Sequence, residues 1–165
     1  PPFMNEADAL DHCVKWIGAV AERSDEISVN PMNIQRGTVI DRLHRHNEYR
    51  PPWLWSLVEM IRRAHPLIHP DGGINGDPDQ VARLIVHPTA GGKIRGSHNC
   101  GRCDHEVVAA IERYAVSGSL MEFDDLSCDC EDVWRSEVML ERQLPVPLGL
   151  SKPRRGSPVR RLRSP

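Results

Sequence analysis

An α/β fold carrying a small Cys-rich, metal-binding helical region is what the sequence predicts, and three observations predict it. Helical and strand patterns alternate in the order helix, strand, helix, helix, strand. Two cysteine pairs, Cys100-x2-Cys103 and Cys128-x-Cys130, follow the second strand and bracket one further helix. At 165 residues, 39% hydrophobic and 27% charged, the chain suits one soluble globular domain, or one domain plus an appendage. It is long enough to bury a core without disulfides.

Residues 5–22 read as a helix: Asn5 caps it with Asp8 three residues on, and Leu10, Cys13, Val14, Ile17, Val20 and Ala21 form one stripe. Cys13 is therefore expected to be a small core residue. Residues 25–31, DEISVNP, give a short strand ended by Pro31. Loop 31–37 leads to a short helix over 38–46. YRPPW, residues 49–53, forces an extended turn, and Pro52 starts a helix reaching about residue 64 with the stripe Leu54, Leu57, Val58 and Ile61. Trp53 and Trp55 at its start are expected to pack at the core edge rather than stack on a base. Residues 66–82, rich in Gly, Pro, Asp and Asn, form an exposed loop. RLIVH, residues 83–87, is the second strand, and the glycine-bearing loop 88–99 delivers the chain to the first cysteine pair. A helix over 104–117 packs Val107, Val108, Ile111, Tyr114 and Ala115, and a last helix over about 131–141 follows the second pair. Two strands cannot make a covered parallel sheet, so further strands are expected from another chain or from sequence outside these 165 residues. A start on Pro1-Pro2 points the same way.

The formal net charge of -2 hides a division. Residues 151–165 hold six Lys and Arg and no acid, so the first 150 residues carry 15 basic against 23 acidic side chains. The tail's Pro, Ser and Gly content reads as disorder, and its charge as affinity for RNA phosphates. No apolar run approaches the roughly 20 residues of a membrane span, and no signal-peptide pattern is present, which makes a cytoplasmic location the expectation.

The four paired cysteines are the strongest local signal. A helix and a turn fill the gap between the pairs, so the excursion can bring four thiolates to the corners of a tetrahedron, the geometry of a closed structural zinc site. Cys103 opens the intervening helix, where the helix dipole favours a thiolate. Zinc on Cys100, Cys103, Cys128 and Cys130 is the favoured reading; an iron-sulfur cluster suits four thiolates too and stays open as an alternative. Two disulfides fit an oxidising compartment, not a cytoplasmic one. His98, two residues before Cys100, is left outside the ligand set.

NPMNIQRGT, residues 30–38, follows the first strand directly and is polar without heavy charge. Amide side chains and an arginine at the carboxyl end of a strand sit where α/β proteins hold ligands, which makes Asn30, Asn33, Gln35 and Arg36 candidate cofactor- or substrate-binding residues. A plain turn built by Asn30-Pro31 and Gly37 accounts for the same residues. TAGGKIRGS, residues 89–97, fails the P-loop pattern, since Lys93 is followed by Ile94. Its glycines still allow close backbone approach, with Lys93 and Arg95 adding positive charge. HRH, residues 44–46, has no partner at ligand spacing and reads as a solvated helix end.

Taken together, KWIGAVAERSDEISVNPMNIQRGT, YRPPWLWSLVEMI and HNCGRCD followed by LSCDCEDVW resemble the carboxyl-terminal half of the archaeosine-biosynthesis radical SAM enzyme, an archaeal tRNA-modifying family. The resemblance runs from Pro1 to about Leu140 and leaves out loop 70–82 and the tail. It implies the distal part of a radical SAM partial (βα) barrel over residues 1–90, a Cys-rich metal-binding helical region over 91–141, and a disordered basic tail over 142–165. It further implies a [4Fe-4S] cluster and S-adenosylmethionine in the full-length protein, tRNA as substrate, and a partner synthase that attaches lysine to the base. The implied reaction is radical cleavage of a carbon-nitrogen bond of that lysine adduct, with loop 30–36 facing cofactor and substrate. The family holds its cluster with CxxxCxxC, which this sequence lacks, so the chain alone is expected to be inactive. The alternative class is a free-standing zinc-stabilised RNA-binding module built on the thiol pairs and the arginine tail.

Overall fold

The computed structural model describes residues 4–69 and 82–143. Five α-helices and a two-stranded sheet make up an α/β arrangement among these residues: α1 (Glu6–Ala21), β1 (Glu26–Val29), α2 (Val39–Arg45), α3 (Leu54–Ile68), β2 (Arg83–Val86), α4 (Asp104–Ser117) and α5 (Cys130–Gln143), with a 3-10 turn over Leu120–Phe123. Residues 70–81 of the expected loop over 66–82 and residues 144–165 of the expected basic tail over 142–165 lie outside the described residues, while residues 142 and 143, expected in that tail, belong to α5. No helix among the described residues is long and apolar enough to cross a membrane.

Helix α1 begins as its sequence requires, with the Asn5 side chain accepting from the Asp8 backbone N–H at 2.7 Å. Its buried stripe is Ala7, Leu10, Val14 and Ile17, packed against α3. Cys13 is half-buried beside that stripe, and its thiol lies 3.3 Å from the Met60 sulfur.

Helix α3 is the centre of the molecule. Leu54, Trp55, Leu57, Val58, Met60, Ile61, Ala64 and Ile68 are all buried, so its apolar surface extends well beyond one stripe. Each such large side chain contributes about 1.5–3 kcal/mol of transfer free energy. The helix packs on α1, α4 and β2, and one hydrophobic cluster runs from Ala7 through α3 and both strands to Val138 in α5. Trp53 and Trp55 are buried in this cluster, 8% and 2% exposed.

The expected end of α3 near residue 64 needs correction, because the helix continues through Pro66 to Ile68. Proline removes one backbone donor from the last turn. Burial of Ile68 and the 2.8 Å bond from the His69 N–H to the His65 carbonyl hold that turn helical despite it. A second correction falls at α5, which begins on Cys130 itself, not after the second cysteine pair.

Strands β1 and β2 pair in parallel, with Ile27 opposite Leu84 and Val29 opposite Val86. The crossover between them carries α2 and α3. Ile27, Leu84 and Val86 face the core, while Glu26 and Arg83 face out.

Candidate metal centre and adjoining cleft

Four sulfurs converge where the starts of α4 and α5 meet. The Sγ separations are 4.0 Å for Cys100–Cys103, 3.7 Å for Cys100–Cys128 and 3.5 Å for Cys103–Cys130, and all four sulfurs lie within 4.8 Å of one another. A tetrahedron of metal–sulfur bonds of about 2.3 Å has edges of about 3.8 Å, so the set fits one tetrahedral ion. A four-iron cluster would stand each thiolate outside a separate iron and spread the sulfurs further apart. Each of these three separations is also far beyond the roughly 2.05 Å of a disulfide. These cysteines could hold a metal ion such as zinc.

The backbone around the first pair is built for this convergence. Gly101 adopts φ +89°, a conformation glycine takes without penalty, and turns the chain between Cys100 and Cys103. The Asp104 carboxylate, buried at the first residue of α4, accepts from the Asn99 N–H at 2.9 Å and from the Gly101 N–H at 2.7 Å. Asn99 reaches two ways: its Nδ2 donates to Cys103 Sγ at 3.4 Å, and its Oδ1 accepts from the Trp55 N–H at 3.3 Å in the first turn of α3. The Trp55 indole Nε1 donates to Cys130 Sγ at 3.2 Å. Two donors therefore stabilise negative charge on the buried sulfurs, and both are anchored to α3 or to the loop before α4.

The thiols are electrostatically unequal. Backbone N–H groups of Arg102 and Cys103 hold the Cys100 thiol down at about 6. Burial pushes the Cys103 and Cys130 thiols up. The sequence expects the start of α4 to act on Cys103; the Arg102 and Cys103 N–H groups just before α4 act instead on Cys100, and burial dominates at Cys103. Four thiolates packed this closely repel unless a cation offsets them, so metal binding and deprotonation of the set are one event.

A second feature lies on the other face of α3. A cleft of about 870 Å³ opens between α1, the carboxyl end of β1 and α5. Asn30 and Asn33 line it, with Glu6, Tyr49, Arg50 and Met60 among its other walls. Gln35 and Arg36 do not line it. They sit in the exposed turn before α2, where the Gln35 carbonyl accepts from Thr38 Oγ1 at 2.8 Å. The Asn30 amide donates to Ser28 Oγ at 3.2 Å.

Sequence reading missed the polar floor of this cleft. Glu6 Oε1 accepts from the Trp53 N–H at 2.7 Å and from Ser56 Oγ at 2.6 Å, and Ser56 Oγ in turn accepts from Trp134 Nε1 at 2.8 Å. Burial pushes the Glu6 carboxyl up against those hydrogen bonds. Glu137 accepts from Trp53 Nε1 at 2.9 Å and from Arg50 at 3.3 Å, with the Arg50 guanidinium 4.1 Å above the Trp53 ring. No local pattern marks these partners, because Glu6 and Trp53 are 47 residues apart.

Asp41 carries no local signal either. Buried in the short helix α2, it accepts from Arg45 and Arg95 at 2.6 Å each and from the Gly37 N–H at 2.9 Å. The Arg95 hydrogen bond is the main cause holding its carboxyl down at about 2.

Two proteins named archaeosine synthase subunit beta are similar to the chain. That of Methanosarcina acetivorans is 30% identical over 141 residues, which cover 86% of this chain and 38% of the relative. That of Thermococcus kodakarensis is 32% identical over 148 residues, covering 87% and 41%. An uncharacterised protein of Methanocaldococcus jannaschii is 27% identical over 154 residues, covering 90% and 38%. The chain thus spans between 38% and 41% of the length of these curated relatives. No protein-family model matches the chain. No solved structure matches it.

Proposed function

We propose that the chain acts in forming archaeosine in tRNA, as the distal part of a radical SAM-type partial (βα) barrel with a structural zinc site packed behind it. The observation that carries this reading is the 30–32% identity, over 86–87% of the chain, to two proteins named for archaeosine synthesis. The parallel pairing of β1 and β2, joined by a helical crossover, is compatible with two neighbouring barrel strands. The cleft at the carboxyl end of β1 lies where α/β proteins hold their ligands.

In this reading Asn30 and Asn33 contact cofactor or substrate in the cleft, while Gln35 and Arg36 act at its outer rim. Zinc on Cys100, Cys103, Cys128 and Cys130 locks the start of α4 to the start of α5 and does no redox chemistry. The residues present do not fit a catalytic [4Fe-4S] cluster. The sequence contains no CxxxCxxC, and four thiolates saturating one ion leave no open position for S-adenosylmethionine. Cluster and S-adenosylmethionine belong to a CxxxCxxC-bearing segment that works with these 165 residues. The complete enzyme then cleaves a carbon-nitrogen bond of the lysine-adduct base, in the cytoplasm, together with the synthase that attaches the lysine. The word subunit in the relatives' names agrees with such a partner.

The test compares the 165-residue chain with the longer protein containing it. Each is given tRNA bearing the lysine adduct, S-adenosylmethionine and a reductant, and the nucleosides are then analysed. The longer protein should form archaeosine and the chain alone none, and Asn33→Ala in the longer protein should lower turnover. Archaeosine from the chain alone, or none from the longer protein, would overturn the reading.

A further inference from the structure

We infer that the turn at Arg36, helix α2 and the tip of loop 88–97 form one docking surface for the phosphate backbone of a folded RNA. The inference deepens the proposed function and rests on it for RNA as the polyanion.

Two segments distant in sequence are tied together here. The Ile34 N–H donates to the Arg95 carbonyl at 2.8 Å, Arg95 Nε donates back to the Ile34 carbonyl at 3.0 Å, and Arg95 Nη2 reaches Asp41 at 2.6 Å. Residues 34–46 and 87–98 together hold Arg36, Arg42, Arg45, Lys93 and Arg95 against one acid, Asp41. The first 150 residues as a whole carry more acid than base, so this is a local reversal of charge. Asp41 is buried and already shared by two guanidinium groups, while the Arg45 side chain is 66% exposed. Arg36, Arg42 and Lys93 are exposed and unconstrained by any ion pair among the described residues.

Pinning Arg45 and Arg95 on one carboxylate fixes two cationic side chains in advance, so less side-chain freedom is lost on binding phosphate. The surface also adjoins the candidate site, because loop 30–38 begins on the cleft wall at Asn30 and Asn33 and ends in the Arg36 turn. RNA held by its backbone on this surface would lie at the mouth of the cleft. A membrane is the poorer match: α2 has seven residues, and only Val39 and Ile94 are exposed large apolar side chains within the two segments.

The test measures binding of a labelled tRNA transcript to the full chain between about 50 and 200 mM salt. Arg36→Ala, Arg42→Ala and Lys93→Ala are combined, leaving Arg45 and Arg95 on Asp41. The slope of log affinity against log salt should shrink by about 2 to 3, with binding at low salt at least about tenfold weaker. The charge-keeping pair Arg36→Lys and Arg42→Lys should retain the slope, and an equal loss there would overturn the electrostatic account. An unchanged slope in the triple variant, with loss instead in Arg160→Ala/Arg161→Ala/Arg163→Ala, would move docking to the tail and overturn the surface while leaving the RNA reading intact. A wild-type chain that binds no tRNA would overturn both. Anionic vesicles displacing the RNA from this surface with higher affinity would assign it to membranes and overturn the inference.

Discussion

The indole N–H of Trp55 donates to the Cys130 sulfur at 3.2 Å, joining the most buried helix of the fold to the thiol cluster. The same residue's backbone N–H is accepted by Asn99, whose amide donates to Cys103. Thiol cluster and core are therefore one mechanical unit, and several consequences can be measured.

Trp55→Phe keeps most of the buried ring and removes the donor to Cys130. Metal affinity should fall by about 10- to 100-fold, the usual cost of losing a partner that orients a metal ligand. Competition with a chelator reads this directly, and an affinity within about twofold of wild type would contradict it.

Asp104→Ala removes the acceptor for two backbone N–H groups at the turn through Gly101. Leaving the buried Asn99 N–H unpaired costs about 1–3 kcal/mol, whereas the Gly101 N–H, on an exposed residue, can turn to water. Thermal unfolding of the metal-loaded chain should show at least one such penalty, and adding excess chelator should shrink the difference between variant and wild type.

Acid stability should reflect Asp41. Its folded value near 2 lies below its ordinary value of 3.8. A depressed carboxyl stabilises the fold above the ordinary value and loses that contribution as pH falls towards the folded one. Denaturation profiles of wild type and Asp41→Asn should converge between about pH 4 and pH 2. A gap constant over that window would contradict the assignment.

Glu6 carries the opposite sign. Burial raises its carboxyl above the ordinary 4.5, so its contribution is fully present below that value and is lost as pH rises through the folded one. Glu6→Gln preserves an oxygen acceptor for Trp53 and Ser56 while removing the charge. The variant should gain stability relative to wild type as pH rises towards neutrality, and a loss there would show that the charged form is the favoured one in the fold.

Much of this structure is legible locally. Asn5 and the apolar stripe behind it set α1, and the cysteine spacing announces the cluster. What is not legible depends on long-range partners. Pro66 is an end signal that core burial of Ile68 outweighs. The start of α3 has no side-chain cap from Trp53; Asn99, 44 residues beyond Trp55, accepts a first-turn N–H instead. Asp41 looks like any helical surface acid until Arg95, 54 residues on, is folded against it. Of the four loop residues singled out, the chain's path puts Asn30 and Asn33 on the cleft and carries Gln35 and Arg36 past it.

The central claim is that the four thiols close around one structural ion and leave the redox chemistry elsewhere. Elemental analysis and an absorption spectrum of the anaerobically purified chain test it most directly, with Cys100→Ser alongside. The account predicts about one zinc per chain, no iron or sulfide, no brown chromophore, and loss or sharp weakening of zinc binding in the variant. Iron with sulfide, bleached in the variant, would contradict it and move redox chemistry into this part of the molecule.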